Sequence, residues 1–130
     1  MGPTAAEKAD NSGPLNDRLV SKNWSVRANA YDELEGLLKG LKTKSKDGLI
    51  CDHLDKWNLY LKDSNPGALE KALNALTIWL DKINPGLLVE NQNAIIPTLV
   101  EKCIGHAKPV VKEKAIECFL LIFEVSENFD

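Results

Sequence analysis

No apolar run in this chain approaches the roughly 18 residues that a membrane-crossing helix needs. The N-terminus lacks a basic stretch followed by an apolar one, so no secretory signal is read there. Cysteine is limited to Cys51, Cys103 and Cys118, an odd number without CxxC spacing. That argues against a disulfide framework and for a reducing compartment. All three lie within apolar patterns and are read as small buried hydrophobes. Histidine is limited to His53 and His106; Cys51-x-His53 has no second ligand pair, so neither a metal nor another cofactor is expected. Positive charge is not in excess either: 16 Lys/Arg against 19 Asp/Glu leave a net charge of −3. A protein that neutralises many phosphates is thereby excluded, while a local basic edge facing an acidic partner stays open. The chain has no Gly-rich phosphate loop, no HExxH and no GxSxG, and no catalytic role is expected.

What is present is a chain of 130 residues, 44% apolar, enough for one small domain or part of a larger one. Residues 1–13 are small and polar and read as a flexible tail. From Pro14 onward apolar residues recur at helical spacing, as in Val26, Ala30, Leu34, Leu37, Leu38 and Leu41, and no stretch alternates as a strand does. The expected fold class is all-α.

Internal repetition organises the chain. Trp24-Ser25-Val26-Arg27 through Leu34 overlays Pro66-Gly67-Ala68-Leu69 through Leu76 at an offset of 42. Pro109-Val110-Val111-Lys112 through Phe119 follows at a further 43. Each copy places Ala30, Ala72 or Ala115 between two apolar residues on one helical stripe, and an alanine there lets helices approach closely. A first helix is expected ahead of each copy, over residues 15–20, 49–61 and 94–104, with Pro97 bending the last of these or opening it. Two helices per unit and a period within about 40 to 47 residues indicate a HEAT-type solenoid. Three units are read, at 14–41, 48–83 and 87–125, each stabilised by stacking on its neighbour. The chain stops where a further unit is expected to begin, so an uncovered apolar face involving Phe119 and Phe123 is expected to drive self-association.

The turns inside the units collect on one edge of such a stack. They hold Lys22-Asn23-Trp24-Ser25, then Lys62-Asp63-Ser64-Asn65, then His106-Ala107-Lys108-Pro109. Pro66 and Pro109 suit a first helical turn, where a missing N–H is harmless. Trp24 holds that position in the first unit and is expected to stay outside the core, as an interface anchor or as a lid on the first unit. Trp57, Trp79, Tyr31 and Tyr60 fall on apolar stripes and are read as core. Lys39, Lys42, Lys44 and Lys46 on the other edge are read as a solvated loop.

Pro14-Leu15-x-x-Arg18-Leu19-x-x-Lys22-Asn23-Trp24-x-Val26-Arg27-x-x-Ala30 resembles the opening of the first TOG domain of the microtubule polymerase family. Asp63-Ser64-Asn65 followed by Ala68-x-x-Lys71-Ala72-Leu73 resembles that domain's second repeat. Leu99-Val100-Glu101-Lys102-Cys103-Ile104 with Lys108 resembles the third. The resemblance implies the first half of a paddle of six HEAT repeats that binds the αβ-tubulin heterodimer, this half mainly through β-tubulin. It implies Trp24, Ser64, Asn65 and Lys108 as contacts, with Asn23, Ser25, Lys22, Lys62 and Lys112 beside them. Arg27 and Lys112 share one helix position, and inter-repeat ion pairing is the competing role for them. The resemblance further implies a cytoplasmic, cytoskeletal location at microtubule plus ends, spindle and spindle poles or centrosome, with no nucleic-acid or membrane partner. Lacking the later repeats, the chain alone is expected to bind tubulin weakly or not at all. A general HEAT scaffold and a CLASP-type TOG regulator are the alternative readings.

Overall fold

In the computed structural model the described residues run from Asn11 to Asn128; most of the expected tail, residues 1–10, lies outside them. Gly13, at the end of that expected tail, is tied down, its carbonyl accepting a hydrogen bond from Arg18 Nε at 2.7 Å. The elements, in chain order, are α1 (Leu15–Arg18), α2 (Trp24–Lys39), α3 (Gly48–Cys51), α4 (Trp57–Tyr60), α5 (Pro66–Lys82) and α6 (Pro85–Asn91). A 3₁₀ turn (Gln92–Ala94), α7 (Ile96–Thr98), a π-helical stretch (Leu99–Ile104) and α8 (Pro109–Glu127) complete the described chain. The fold is all-α, with HEAT-like helical repeats.

Three long helices, α2, α5 and α8, form one layer. Contacts between them keep a nearly constant forward offset: Arg27 with Asp63, Asp32 with Lys71, Glu70 with Lys108, and Thr77 with Cys118. The helices therefore run parallel, and their N-termini share one edge. The middle helix buries residues on two sides, including Ala68, Leu69, Ala72, Leu73, Ala75, Leu76, Trp79 and Leu80. Its flanking partners bury one stripe each: Val26, Ala30, Tyr31, Leu34 and Leu38 on α2, and Val111, Ala115, Cys118 and Ile122 on α8. Ala30, Ala72 and Ala115, the repeated alanines, are wholly buried.

The first helices of the units depart from the expected continuous rods. Helix α1 ends at Arg18, and the stretch expected as one helix over 49–61 splits into α3 and α4. Between them the amides of His53, Leu54 and Lys56 bond three residues back, to Ile50, Cys51 and His53, so the chain tightens into turns. Tertiary anchoring fixes this shape: Trp57 packs on Trp79 with ring centroids 5.5 Å apart, and Trp79 Nε1 donates to the Ile50 carbonyl at 3.0 Å. In the third unit Asn84 Oδ1 accepts from the amides of Gly86 and Leu87, and Pro85 stands in the first turn of α6. That unit's first helical segment thus starts two residues ahead of the expected boundary and is interrupted before Pro97, which lies in the first turn of α7. Pro85 also favours the extended backbone of Asn84 directly ahead of it, at φ −60° and ψ 128°.

Trp57, Trp79, Tyr31 and Tyr60 are buried, as their stripes indicate. Cys103 and Cys118 are buried too, and burial raises their thiols to about 11 and about 12. Cys51 differs: it is half-buried at the end of the short α3, where its thiol reaches the Lys46 carbonyl at 3.4 Å. Phe119 also differs, because it packs against the core, and the large apolar residues left exposed on α8 include Ile116, Leu120 and Phe123.

Candidate protein-interaction edge

The three turns ahead of α2, α5 and α8 are built alike. Their N-cap residues, Asn23, Asn65 and Lys108, have nearly superposable backbones, with φ −89, −88 and −79° and ψ 119, 118 and 118°. Two residues earlier stands an acceptor for the N-cap amide: Ser21 Oγ at 3.2 Å, Asp63 Oδ1 at 3.0 Å, and His106 Nδ1 at 2.9 Å. Ser21, Asp63 and His106 differ in chemistry but each presents a lone pair at the same place. For His106 this sets the tautomer with its proton on Nε2.

At two of the three turns the N-cap side chain closes the helix end. Asn23 Oδ1 accepts from the Ser25 amide at 2.9 Å and from Ser25 Oγ at 2.7 Å, and Asn65 Oδ1 accepts from the Ala68 amide at 3.0 Å. Asn23, Ser25 and Asn65 therefore have a local structural use for those atoms. Lys108 cannot cap a helix, and its Nζ instead lies 3.5 Å from Glu70 on α5. Trp24 opens α2 with 52% of its surface exposed. Lys22, Lys62, Ser64 and Lys112 are exposed, and Lys108 is half-exposed.

Arg27 and Lys112, at one repeat position, have parted roles. Lys112 points to solvent, whereas Arg27 bonds Asp63 through Nε at 2.7 Å and Nη2 at 2.9 Å, and the Ser21 carbonyl through Nη1 at 2.8 Å. Asp63 also accepts from Tyr31 Oη at 3.1 Å, and its side chain is 1% exposed. The Asp63 hydrogen bond helps keep the Arg27 guanidinium charged, while burial, then the same carboxylate, pushes the Tyr31 phenol upward. Spacing alone did not single out Asp63: nothing in the sequence ties it to Arg27, 36 residues away.

On the opposite edge Lys39 pairs with Glu35, while Lys42, Lys44 and Lys46 are exposed. That loop is pinned: the Ser45 amide donates to the Lys82 carbonyl at 2.7 Å, and the Asn84 amide to the Ser45 carbonyl at 2.9 Å. Lys44 has a positive φ of 57°.

The family model for the XMAP215/Dis1/CLASP TOG domain matches residues 10–130. The chain belongs to this family. Among TOG relatives it is 30% identical over 113 residues to Centrosomal protein 224 of Dictyostelium discoideum, covering 87% of this chain and 6% of that protein. It is 28% identical over 116 residues to Spindle pole body component alp14 of Schizosaccharomyces pombe, covering 85% of this chain and 14% of that protein. With Protein mini spindles of Drosophila melanogaster the identity is 26% over 122 residues, covering 88% and 6%. This TOG chain thus spans a small part of the curated relatives it matches. A solved structure describing tubulin recruitment and assembly by microtubule polymerases with TOG domain arrays superposes with a TM-score of 0.74 at 28% identity. The overlap covers 84% of this chain and 23% of that one.

Proposed function

We propose that this TOG chain binds αβ-tubulin through the edge formed by the N-termini of α2, α5 and α8, as a binding module and not a catalyst. The observation that carries the reading is Trp24, a large aromatic half-exposed at a helix start, on the same edge as Ser64 and Lys108. An indole held outside the core by a capped helix end offers apolar area and a donor with little ordering entropy. Lys22, Lys62, Lys108 and Lys112 add positive charge that steers encounter with an acidic partner. Trp24 and the second turn would face β-tubulin. The intact protein would act at microtubule plus ends, spindle and spindle poles in the manner of the polymerase branch. The exposed face of α8 would give the isolated chain a tendency to self-associate.

The test uses the whole chain labelled with 5-fluorotryptophan and titrated with unpolymerised αβ-tubulin. Trp24, Trp57 and Trp79 give three fluorine signals. The Trp24 signal should shift and broaden first, and Trp24→Ala should weaken binding by at least about tenfold, the usual effect of removing an aromatic hot spot. A Trp24 signal indifferent to excess tubulin, with the variant binding like wild type, would leave Trp24 as a lid and favour a general HEAT scaffold.

A further inference from the structure

Between the first and second turns of the edge lies a shallow groove whose walls include Ser21, Arg27, Tyr31, Lys62, Asp63 and Ser64. At its base a single carboxylate, Asp63, takes four hydrogen bonds: two from Arg27, one from the Tyr31 hydroxyl and one from the Asn65 amide. Arg27 and Tyr31 belong to α2, and Asn65 caps α5, so this carboxylate ties one unit to the next. Arg27 then reaches back to the Ser21 carbonyl, and Ser21 Oγ holds the Asn23 amide just ahead of Trp24. One continuous run of hydrogen bonds therefore links the backbone carrying Trp24 to the backbone carrying Ser64 and Asn65. The ion pair is bidentate and its carboxylate is removed from solvent, the arrangement in which such a pair defines geometry most sharply.

The corresponding tie between the second and third turns is of another kind. Lys108 and Glu70 meet at 3.5 Å, with side chains 41% and 31% exposed. A partly solvated lysine pair of this sort contributes little and fixes no angle.

We infer that Asp63 is a positioning residue for partner binding: through Arg27 it sets the spacing between Trp24 and Ser64, so that the two turns meet a rigid surface as one unit. The inference rests on the proposed tubulin edge. Asp63 itself, almost wholly covered, makes no contact with the partner. Its contribution is to remove the ordering cost that two independently mobile turns would meet on binding.

The test compares tubulin affinity of three variants of the whole chain, measured by the fluorotryptophan titration at a temperature where circular dichroism shows each fully helical. Asp63→Ala should weaken binding by about tenfold, the loss expected when interface groups must be ordered on contact. Arg27→Lys keeps the charge but loses the fork and the Ser21 bond, and should show a loss of similar size. Lys71→Ala removes the Lys71–Asp32 pair, which also joins α2 to α5 but lies further along both helices, and should bind within about twofold of wild type. Asp63→Ala binding like wild type would overturn the inference, as would Lys71→Ala losing as much as Asp63→Ala. A wild-type chain whose Trp24 signal ignores tubulin would instead overturn the proposed function, so the two failures are distinct.

Discussion

His53 lies buried beside Trp57 and Tyr60, its Nδ1 2.9 Å from the Tyr60 hydroxyl. Burial pushes the imidazole below its usual range, against the opposing pull of Asp52 and Asp55. The sign of the pH effect follows. On acidification the unfolded chain takes up this proton first, near about pH 6.5, and the folded chain resists until lower pH. Stability should be intact above about pH 6.5 and fall progressively below it. Thermal unfolding followed between about pH 7.5 and 5.5 should show the midpoint dropping, and His53→Gln should flatten that slope. Other side chains reveal their roles only in three dimensions. The exposure of Trp24 was legible because the Pro66 and Pro109 positions mark a helix entry. The uses of Asp63 and Glu70 were not, since a carboxylate and its partner can be far apart in sequence.

Helix α5 is the element on which the other two long helices depend, for it packs on both α2 and α8. Its small residues set how closely each neighbour approaches. Ala72 is wholly buried within the core cluster, so Leu there must displace packed neighbours. Ala72→Leu should destabilise the chain by about 1–3 kcal/mol, read as a lower urea midpoint. Ala94→Leu, at an exposed site in the 3₁₀ turn, should leave the midpoint nearly unchanged. These long helices could be read from the sequence because their apolar stripe repeats with a constant alanine. The first helices were harder: the break at 52–56 comes from three-residue hydrogen bonds and from anchoring by Trp57 and Trp79, which periodicity does not record, whereas Pro97 marked the interruption of the third unit's first helix in the sequence itself.

As a whole, the molecule is a stack in which each long helix packs on its neighbour, and the surface of α8 facing away from α5 presents Ile116, Leu120 and Phe123 at 38%, 57% and 58% exposure. Residues 116, 120 and 123 follow the spacing of one helical face. A second copy of the chain offers the same face, and pairing two of them removes both from water. Sedimentation velocity from micromolar to near-millimolar chain should therefore show a rising weight-average mass. Leu120→Glu should hold the chain monomeric, while Trp24→Ala should leave the association unchanged. The stack and its repeat period could be read from the sequence. The make-up of this face could not be read so closely, because whether Phe119 or Leu120 turns inward depends on the rotation of α8 against α5.

The unequal ties along the turn edge have a mechanical meaning. A stack of helices bends at its softest joint, and bending stiffness follows how firmly neighbouring units are fixed to one another. At the turn edge the buried fork between Arg27 and Asp63 fixes the first joint more firmly than the partly exposed Lys108–Glu70 contact fixes the second. A load applied across the edge should accordingly be taken up more between the second and third turns than between the first and second, where Trp24 and Ser64 sit.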